Sequence, residues 1–287
     1  METPTRSTRS PFRGSTAVRA GLITWDRLLG PDFRRLRPDV YVGAATEVDT
    51  RVRVEALSVW SRGRGVVAGP LAALAFGAEC PWEDAEIVIP RHCRVPPAEV
   101  TVRTGALGDG EIATRFGCRI TSPLRTAFDL ARREPLVEAV AAVDSLAHVS
   151  GFTAERLRPL ALEHPRARGI VAARRVIGLM DGRAESLPES RLRVGLLERD
   201  VPPGVPQFRV SLLTGKGVRL DLAWPHRRLA LEFNGPEHRT ITGQNRDAFR
   251  TGRLDDLGWE ILPVTSAMVL DPVAFDELAA RVLRKLR

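Results

Sequence analysis

The chain has 287 residues, of which 44% are apolar and 27% charged, and it carries a formal net charge of +8. That length and balance suit a globular protein of one large or two smaller domains with a substantial core, and they exclude collagen-like or wholly disordered chains. The positive charge admits nucleic acid or another polyanion as a partner, although it is spread along the sequence rather than gathered into a basic arm.

Nearly every cation is an arginine, the lysines being Lys216 and Lys285. The cysteines are Cys80, Cys93 and Cys118, an odd and widely spaced set that argues for free thiols over a disulfide framework. His92 stands beside Cys93, yet no second ligand pair follows at zinc spacing. Residues 1–20 are polar and lack the apolar stretch of a signal peptide. The longest apolar run, Gly65 to Ala78, is too short to span a bilayer and contains Pro70. The expectation is a cytoplasmic protein without membrane or organic-cofactor contacts.

Residues 1–16 read as a disordered basic tail. A short capped helix comes next, with Thr24 as N-cap and Gly30 as its stop, and then a basic strand over 34–43. Residues 17–45 so read as either a reduced winged helix-turn-helix or a small lid on the neighbouring region. Helical spacing covers 51–60 and 70–76, and strands are expected over 86–90, 99–103 and 118–121. Ser122-Pro123 opens a helix that runs to about Arg133, residues 136–148 form the next, and Thr153 and Gly169 begin two more. The composition changes at Gly182–Pro188, which places a domain boundary there: an N-terminal α+β region over 17–182 and a second unit over 183–287. The second unit reads helix 188–199, strands 206–213, 218–224 and 228–234, helix 244–257, strand 259–265 and helix 272–286. This is an α/β arrangement with a mixed sheet flanked by helices.

Two strands of that unit carry carboxylates. Strand alternation sends Val218, Leu220 and Leu222 to one face and Asp221 to the other, with Arg219 and Ala223. In the next strand Leu231 and Phe233 share the buried face, and Ala230, Glu232 and Asn234 the opposite one. A hairpin over Trp224–Arg227 would bring Asp221 and Glu232 together, and two adjacent carboxylates call for a counter-charge such as a hard divalent cation. The plainer alternative is a solvated face on which they pair with Arg219 or Arg228. Glu189 precedes Leu192 by three residues and Leu196 by seven, so it faces with that core stripe. Ser186-Leu-Pro-Glu189 is also a capping-box pattern, which accounts for the same residue without a ligand.

Taken together, Glu185–Arg193, Val218–Pro225, Leu229–Arg239, Arg246-Asp247 and Leu257–Leu262 resemble an actinobacterial protein family whose C-terminal domain is similar to the very-short-patch-repair endonucleases. Those enzymes belong to the PD-(D/E)XK, restriction-endonuclease-like superfamily. The resemblance extends to Val40-Tyr-Val42 and to Thr121–Ala131, and the N-terminal half is similar to antitoxin-type regulators of abortive-infection systems. It implies a restriction-endonuclease-like fold, with Asp221, Glu232, Glu189 and Asn234 around Mg²⁺ or Mn²⁺. His238 would lie near the scissile phosphate, where a histidine can shuttle protons; by itself it reads as a surface residue after a turn. Arg219, Arg228, Arg239 and Arg246 flank the site and would meet DNA phosphates. Asn234 departs from the family's pattern, because it stands where the superfamily motif has lysine and where relatives have aspartate. An amide carries neither charge, which implies weaker metal binding or lost catalysis. Three functions are open: a metal-dependent phosphodiesterase acting on DNA in defence or repair, a non-catalytic DNA-binding regulator that keeps the nuclease fold as a scaffold, or an interaction protein with no nucleic-acid role.

Overall fold

The computed structural model describes residues 9–90, 99–133, 135–211, 217–233 and 253–287. It is an α+β protein built on three sheets. The first holds β1 (Phe12–Arg13), β2 (Phe33–Arg37) and β3 (Val40–Gly43), antiparallel in the order β1-β3-β2. Between β1 and β2 lie two short helices, α1 (Gly14–Arg19) and α2 (Trp25–Leu29). The hydroxyl of Thr24 caps α2 by accepting from the Arg27 N–H at 3.3 Å.

Two expectations change in this region. Among the described residues the first strand begins at Phe12, inside the expected tail, and the Phe12 ring packs edge-on against Phe33 with centroids 5.6 Å apart. The basic stretch 34–43 is a hairpin rather than one strand, turning at Asp39 in the left-handed region (φ 60). Asp39 accepts from the Ser15 N–H at 2.7 Å and from Arg13 Nη2 at 2.6 Å, which ties the hairpin to α1. Gly14 makes this closure possible, since a Cβ there would lie 2.6 Å from both Leu28 and Tyr41.

Helix α3 (Thr50–Trp60), capped by Asp49 on the Val52 N–H at 2.8 Å, packs against that sheet and leads into the second. The second sheet holds β4 (Val66–Ala68), β5 (Ala85–Ile89), β6 (Val100–Thr104), β7 (Ile112–Arg115) and β8 (Cys118–Thr121) in the order β6-β5-β4-β8-β7. Its pairs β4–β8 and β5–β6 are parallel and the others antiparallel. Sequence patterning misses β4, three residues inside an apolar run, and β7, a polar pair-mate of β8. Helices α4 (Gly69–Ala75), α5 (Pro123–Leu130), α6 (Leu136–Ser150), α7 (Ala154–Glu163) and α8 (Ile170–Leu179) complete this part. Alanine and valine dominate its helical core, from Ala127 through Val143 to Val176.

Helix α9 (Leu187–Leu197) leads into the third sheet, with β9 (Val205–Ser211), β10 (Gly217–Trp224), β11 (Leu229–Phe233) and β12 (Glu260–Val264) in the order β12-β11-β10-β9. Helices α10 (Ser266–Leu270) and α11 (Pro272–Leu286) come after it. Of the helix expected over 244–257, residues 253–256 form a helical turn and the rest lies outside the described residues. Helix α9 serves two cores. Leu192 and Leu196 join Leu222, Trp224 and Leu231 under the sheet, while Val194 joins the helical core of α5 to α8.

Candidate functional site

Strand alternation breaks where the carboxylates sit. Leu220 packs with Ala223 and Ala230 on one face of the third sheet, whereas Leu222 packs with Trp224 and Leu231 on the other. The expectation that Val218, Leu220 and Leu222 share one face is therefore corrected: β10 changes phase at Asp221. The cause lies across the ladder. Gln207, opposite Asp221 on β9, has φ 52, which turns its peptide out of the pleat. The β9–β10 register steps from Leu220↔Phe208 to Leu222↔Pro206 without pairing these two residues. Pairing of β10 with β11 begins at Leu222. Asp221 so occupies a fork where the strands part, and its Oδ2 accepts the Phe233 N–H at 2.8 Å.

Glu189 reaches the fork from the first turn of α9. Its N–H donates to the capping hydroxyl of Ser186 at 3.5 Å, and its carboxylate turns back over the cap without reaching the Ser186 N–H that a full capping box would use: Ser186 Oγ donates to its Oε1 at 2.9 Å and the Glu185 N–H to its Oε2 at 3.1 Å. Gln207 Nε2 donates to the same Oε2 at 2.7 Å. The cap and the inward placement are both present in the one side chain. Burial raises its pKa above the ordinary carboxylate value and the nearby charge of Asp221 adds to this, against the hydrogen bonds from Glu185, Ser186 and Gln207. Gln207 was not singled out from the sequence, where a lone glutamine in a strand gives no signal. Its Oε1 is buried and finds no hydrogen-bond donor among the described residues.

The arrangement differs from the expected cage. Among the described residues no three Asp, Glu, His or Cys side chains stand close enough to hold one ion, so Glu189, Asp221 and Glu232 do not converge as a triad. By alternation with Leu231 and Phe233, both packed beneath α9, Glu232 projects to the side of Ala230. At the fork Glu189 lies near enough to Asp221 for the two charges to act on each other, and Gln207 joins Glu189 through its Nε2. Arg219 bridges to Glu185 at 2.6 Å. Arg228 sits in a left-handed turn (φ 48) and donates through Nη1 to the Leu257 carbonyl at 3.1 Å, so that nitrogen holds the turn rather than facing a phosphate. Asn234, His238, Arg239 and Arg246 lie outside the described residues.

A second cluster lies at the opposite end of the chain. The hairpin of the first sheet carries Arg34, Arg35 and Arg37 on β2. Arg37 is bridged to Glu99 at 2.6 Å. Arg34 donates through Nη2 to the Thr46 carbonyl at 2.6 Å, and Arg35 through Nε to the Arg37 carbonyl at 3.4 Å. Helix α2 stands beside them with every residue but Leu28 exposed.

Residues 67–179 match the AbiEi antitoxin C-terminal domain. Two uncharacterized proteins of Mycobacterium tuberculosis, one from each of two strains, are each 31% identical to the chain over 252 residues, 85% of this chain and 90% of the relative. The chain belongs to the family of these mycobacterial proteins. The AbiEi-matching segment runs from β4 to the end of α8, so it holds the second sheet and its helices, between the basic hairpin and the carboxylate fork.

Within the AbiEi-type segment three carboxylates, Glu86, Asp129 and Asp144, are buried and paired with arginines. Asp129 accepts from Arg125 at 3.0 Å and also pairs with Arg132, and Arg125 bridges on to Glu111 at 2.8 Å. Glu86, almost fully buried, pairs with Arg133 and with Arg103 at 3.2 Å. The segment also grips α9. Asp144 on α6 accepts from Ser190 Oγ at 2.8 Å and Arg193 Nη2 at 2.7 Å, Glu138 takes Arg191 in a two-pronged bridge at 2.9 and 2.8 Å, and Glu79 accepts the Leu187 N–H at 3.3 Å. Among the described residues no helix is long and apolar enough to cross a membrane.

Proposed function

We propose that the chain is a DNA-binding regulator of antitoxin type, and that Phe12–Gly43 is its DNA reader. One observation carries this reading. Two helices are inserted between the strands of a β1-β3-β2 sheet, and the β2–β3 hairpin extends beside them with arginines on its first strand. A helix pair with a basic hairpin suits a duplex, the helix meeting a groove and the hairpin the adjacent backbone. Arg34 and Arg35 each spend one nitrogen on a backbone carbonyl, which fixes the planar guanidinium for phosphate contact. The match of 67–179 to an antitoxin domain supports the regulatory role.

The test is fluorescence anisotropy of the full chain with labelled duplex DNA across a salt series. Affinity should fall steeply with salt, and Arg34→Glu with Arg35→Glu should weaken binding on every sequence while reducing the salt slope by about one for each phosphate contact removed. Absence of binding at low salt, or binding untouched by the double variant, would sink the reading.

The strand fork favours a second reading, a metal-dependent phosphodiesterase acting on DNA. Glu189 and Asp221, with the buried Gln207 oxygen, would hold Mg²⁺ or Mn²⁺. Such an ion, when bound, supplies an activated water and neutralises charge on a phosphodiester. Plasmid nicking in Mn²⁺ by the wild type, lost in Asp221→Asn, would support it; equal nicking by both proteins would dismiss it as contamination.

A further inference from the structure

The N-terminal unit has an apolar cleft that the DNA-reading proposal leaves unused. It has a volume of about 480 Å³ and lies between α1, the turn into α2, β1, β2 and the end of α3. Phe12, Ala17, Ile23, Phe33 and Val59 line it. Leu22, a lining residue, is 76% exposed, and Trp25 and Leu29, close to it in sequence, are 48% and 70% exposed. An apolar cleft with large exposed apolar side chains nearby in the chain is the kind of surface that marks a contact site.

We propose that this cleft and its apolar rim dock an amphipathic helix with an acidic polar face, supplied by a partner protein. Three observations select that occupant. The exposed side chains of Leu22, Trp25 and Leu29 add apolar surface that a small molecule in the cleft would leave uncovered. Its apolar character gives nothing to a sugar-phosphate backbone, so nucleic acid is a poor fit. The charged side chains among the lining residues are arginines, Arg13, which is bridged to Asp39 at 2.6 Å, and Arg27, and Arg19 stands exposed at the end of α1. Arg27 is held to Asp32 by a 3.2 Å bridge between side chains 65% and 55% exposed, a weak contact that a partner carboxylate can replace. A second copy of the chain is disfavoured by the same charges, since each copy carries +8. Small side chains at Thr16, Ala17 and Ala20 let a helix approach α1 closely, and anchors at i, i+3, i+4 and i+7 would enter the cleft.

The experiment uses the full chain and a fluorescein-labelled eighteen-residue probe peptide with leucines at those spacings and glutamates elsewhere, beside a counterpart with lysines for the glutamates. The glutamate peptide should bind saturably, the lysine peptide at least tenfold more weakly. Ala20→Glu, which puts a carboxylate in the exposed mouth of the cleft, should weaken the glutamate peptide at least tenfold while leaving circular dichroism unchanged. The proposal falls if the glutamate peptide does not bind, if the two peptides bind alike, or if Ala20→Glu has no effect. It falls equally if sedimentation shows a dimer of the wild type that Ala20→Glu abolishes, for then a second copy fills the cleft. Because DNA binding is read through Arg34 and Arg35, failure here and failure of the DNA-reading proposal are separate outcomes.

Discussion

Asp144 is fully buried on α6, and its surroundings set two forces against each other. Removal from water raises its pKa, while Arg193, the Asp181 N–H and Ser190 lower it, and burial prevails, leaving a value of about 6. In the unfolded chain an aspartate titrates near pH 4. The folded state therefore holds the proton more tightly, so this group's contribution to stability is fully present below about pH 4 and is lost as pH rises through about 6. Asp144→Asn cannot ionise and should lack this pH dependence, so the variant should gain on the wild type as pH rises through about 6. The gap in melting temperature between wild type and variant should shrink from pH 4 to pH 6. A gap that widens over this range would mean that the guanidinium, rather than burial, governs the carboxyl. At this scale the sequence was informative about some residues and silent about others. Thr24 and Ser186 announce caps because a hydroxyl before a helical run satisfies orphan N–H groups. Asp39 and Gln207 announce nothing, because the left-handed conformation of each is imposed by contacts with distant chain: Asp39 by Ser15 and Arg13, Gln207 through Glu189.

Among the elements, α9 shows how one helix can be legible and its surroundings not. Its Ser186 cap and its Leu192/Leu196 stripe are local properties, and both appear as expected. Its second face, carrying Ser190, Arg193 and Val194, reads as polar in sequence because its partners Asp144 and Glu138 lie some fifty residues away. The phase change in β10 was hidden for a similar reason. Val218, Leu220 and Leu222 alternate without interruption, and only a left-handed residue on the neighbouring strand reveals that they serve two faces. The expected hairpin between β10 and β11 formed, yet Glu189, Asp221 and Glu232 do not gather into the three-carboxylate site that the family resemblance implied. Ser186→Ala isolates the cap from the fork. Loss of the hydroxyl should cost about 1 kcal/mol, readable as a lower urea midpoint at unchanged slope. It also removes one hydrogen bond that holds Glu189 ionised, so the pKa of Glu189, followed by carboxyl-carbon NMR, should move further up. An unmoved Glu189 would show that Gln207 and the Glu185 N–H hold the carboxylate without the cap.

For the molecule as a whole, the distribution of contacts around α9 decides how separable its halves are. The sequence places a boundary at 182, just before this helix, where composition changes. Composition, however, reports which residues are present and not which helix face they bury against. Cutting there leaves α9 attached to its own sheet through Leu192 and Leu196 and strips away α6. Ser190, Arg193 and Val194, nearly inaccessible in the full chain, would become exposed, and Arg193 would lose both Asp144 and the Leu179 carbonyl that its Nη1 reaches at 2.7 Å. Exposing Val194 removes about 1.5–3 kcal/mol of apolar burial. The bridge from Arg191 to Glu138 adds a smaller loss, since both side chains are partly exposed. Once Arg193 reaches water, losing its partner costs less than breaking the pair in place, because the charge is no longer desolvated. The sum is still a sizeable share of the 5–15 kcal/mol that holds a typical domain together. A fragment of residues 183–287 should therefore melt far below the full chain, or without a cooperative transition, and a fragment that also carries Asn234→Asp should fare no better. Adding back residues 17–182 as a separate chain should restore part of the loss in a concentration-dependent manner, as mass action requires. Circular dichroism melts of the fragment alone, of the mixture and of the intact chain make the comparison. A fragment that unfolds sharply near the full chain's own temperature would show that α9 rests on its own sheet alone, and that its grip on α6 is an accessory contact between independent domains.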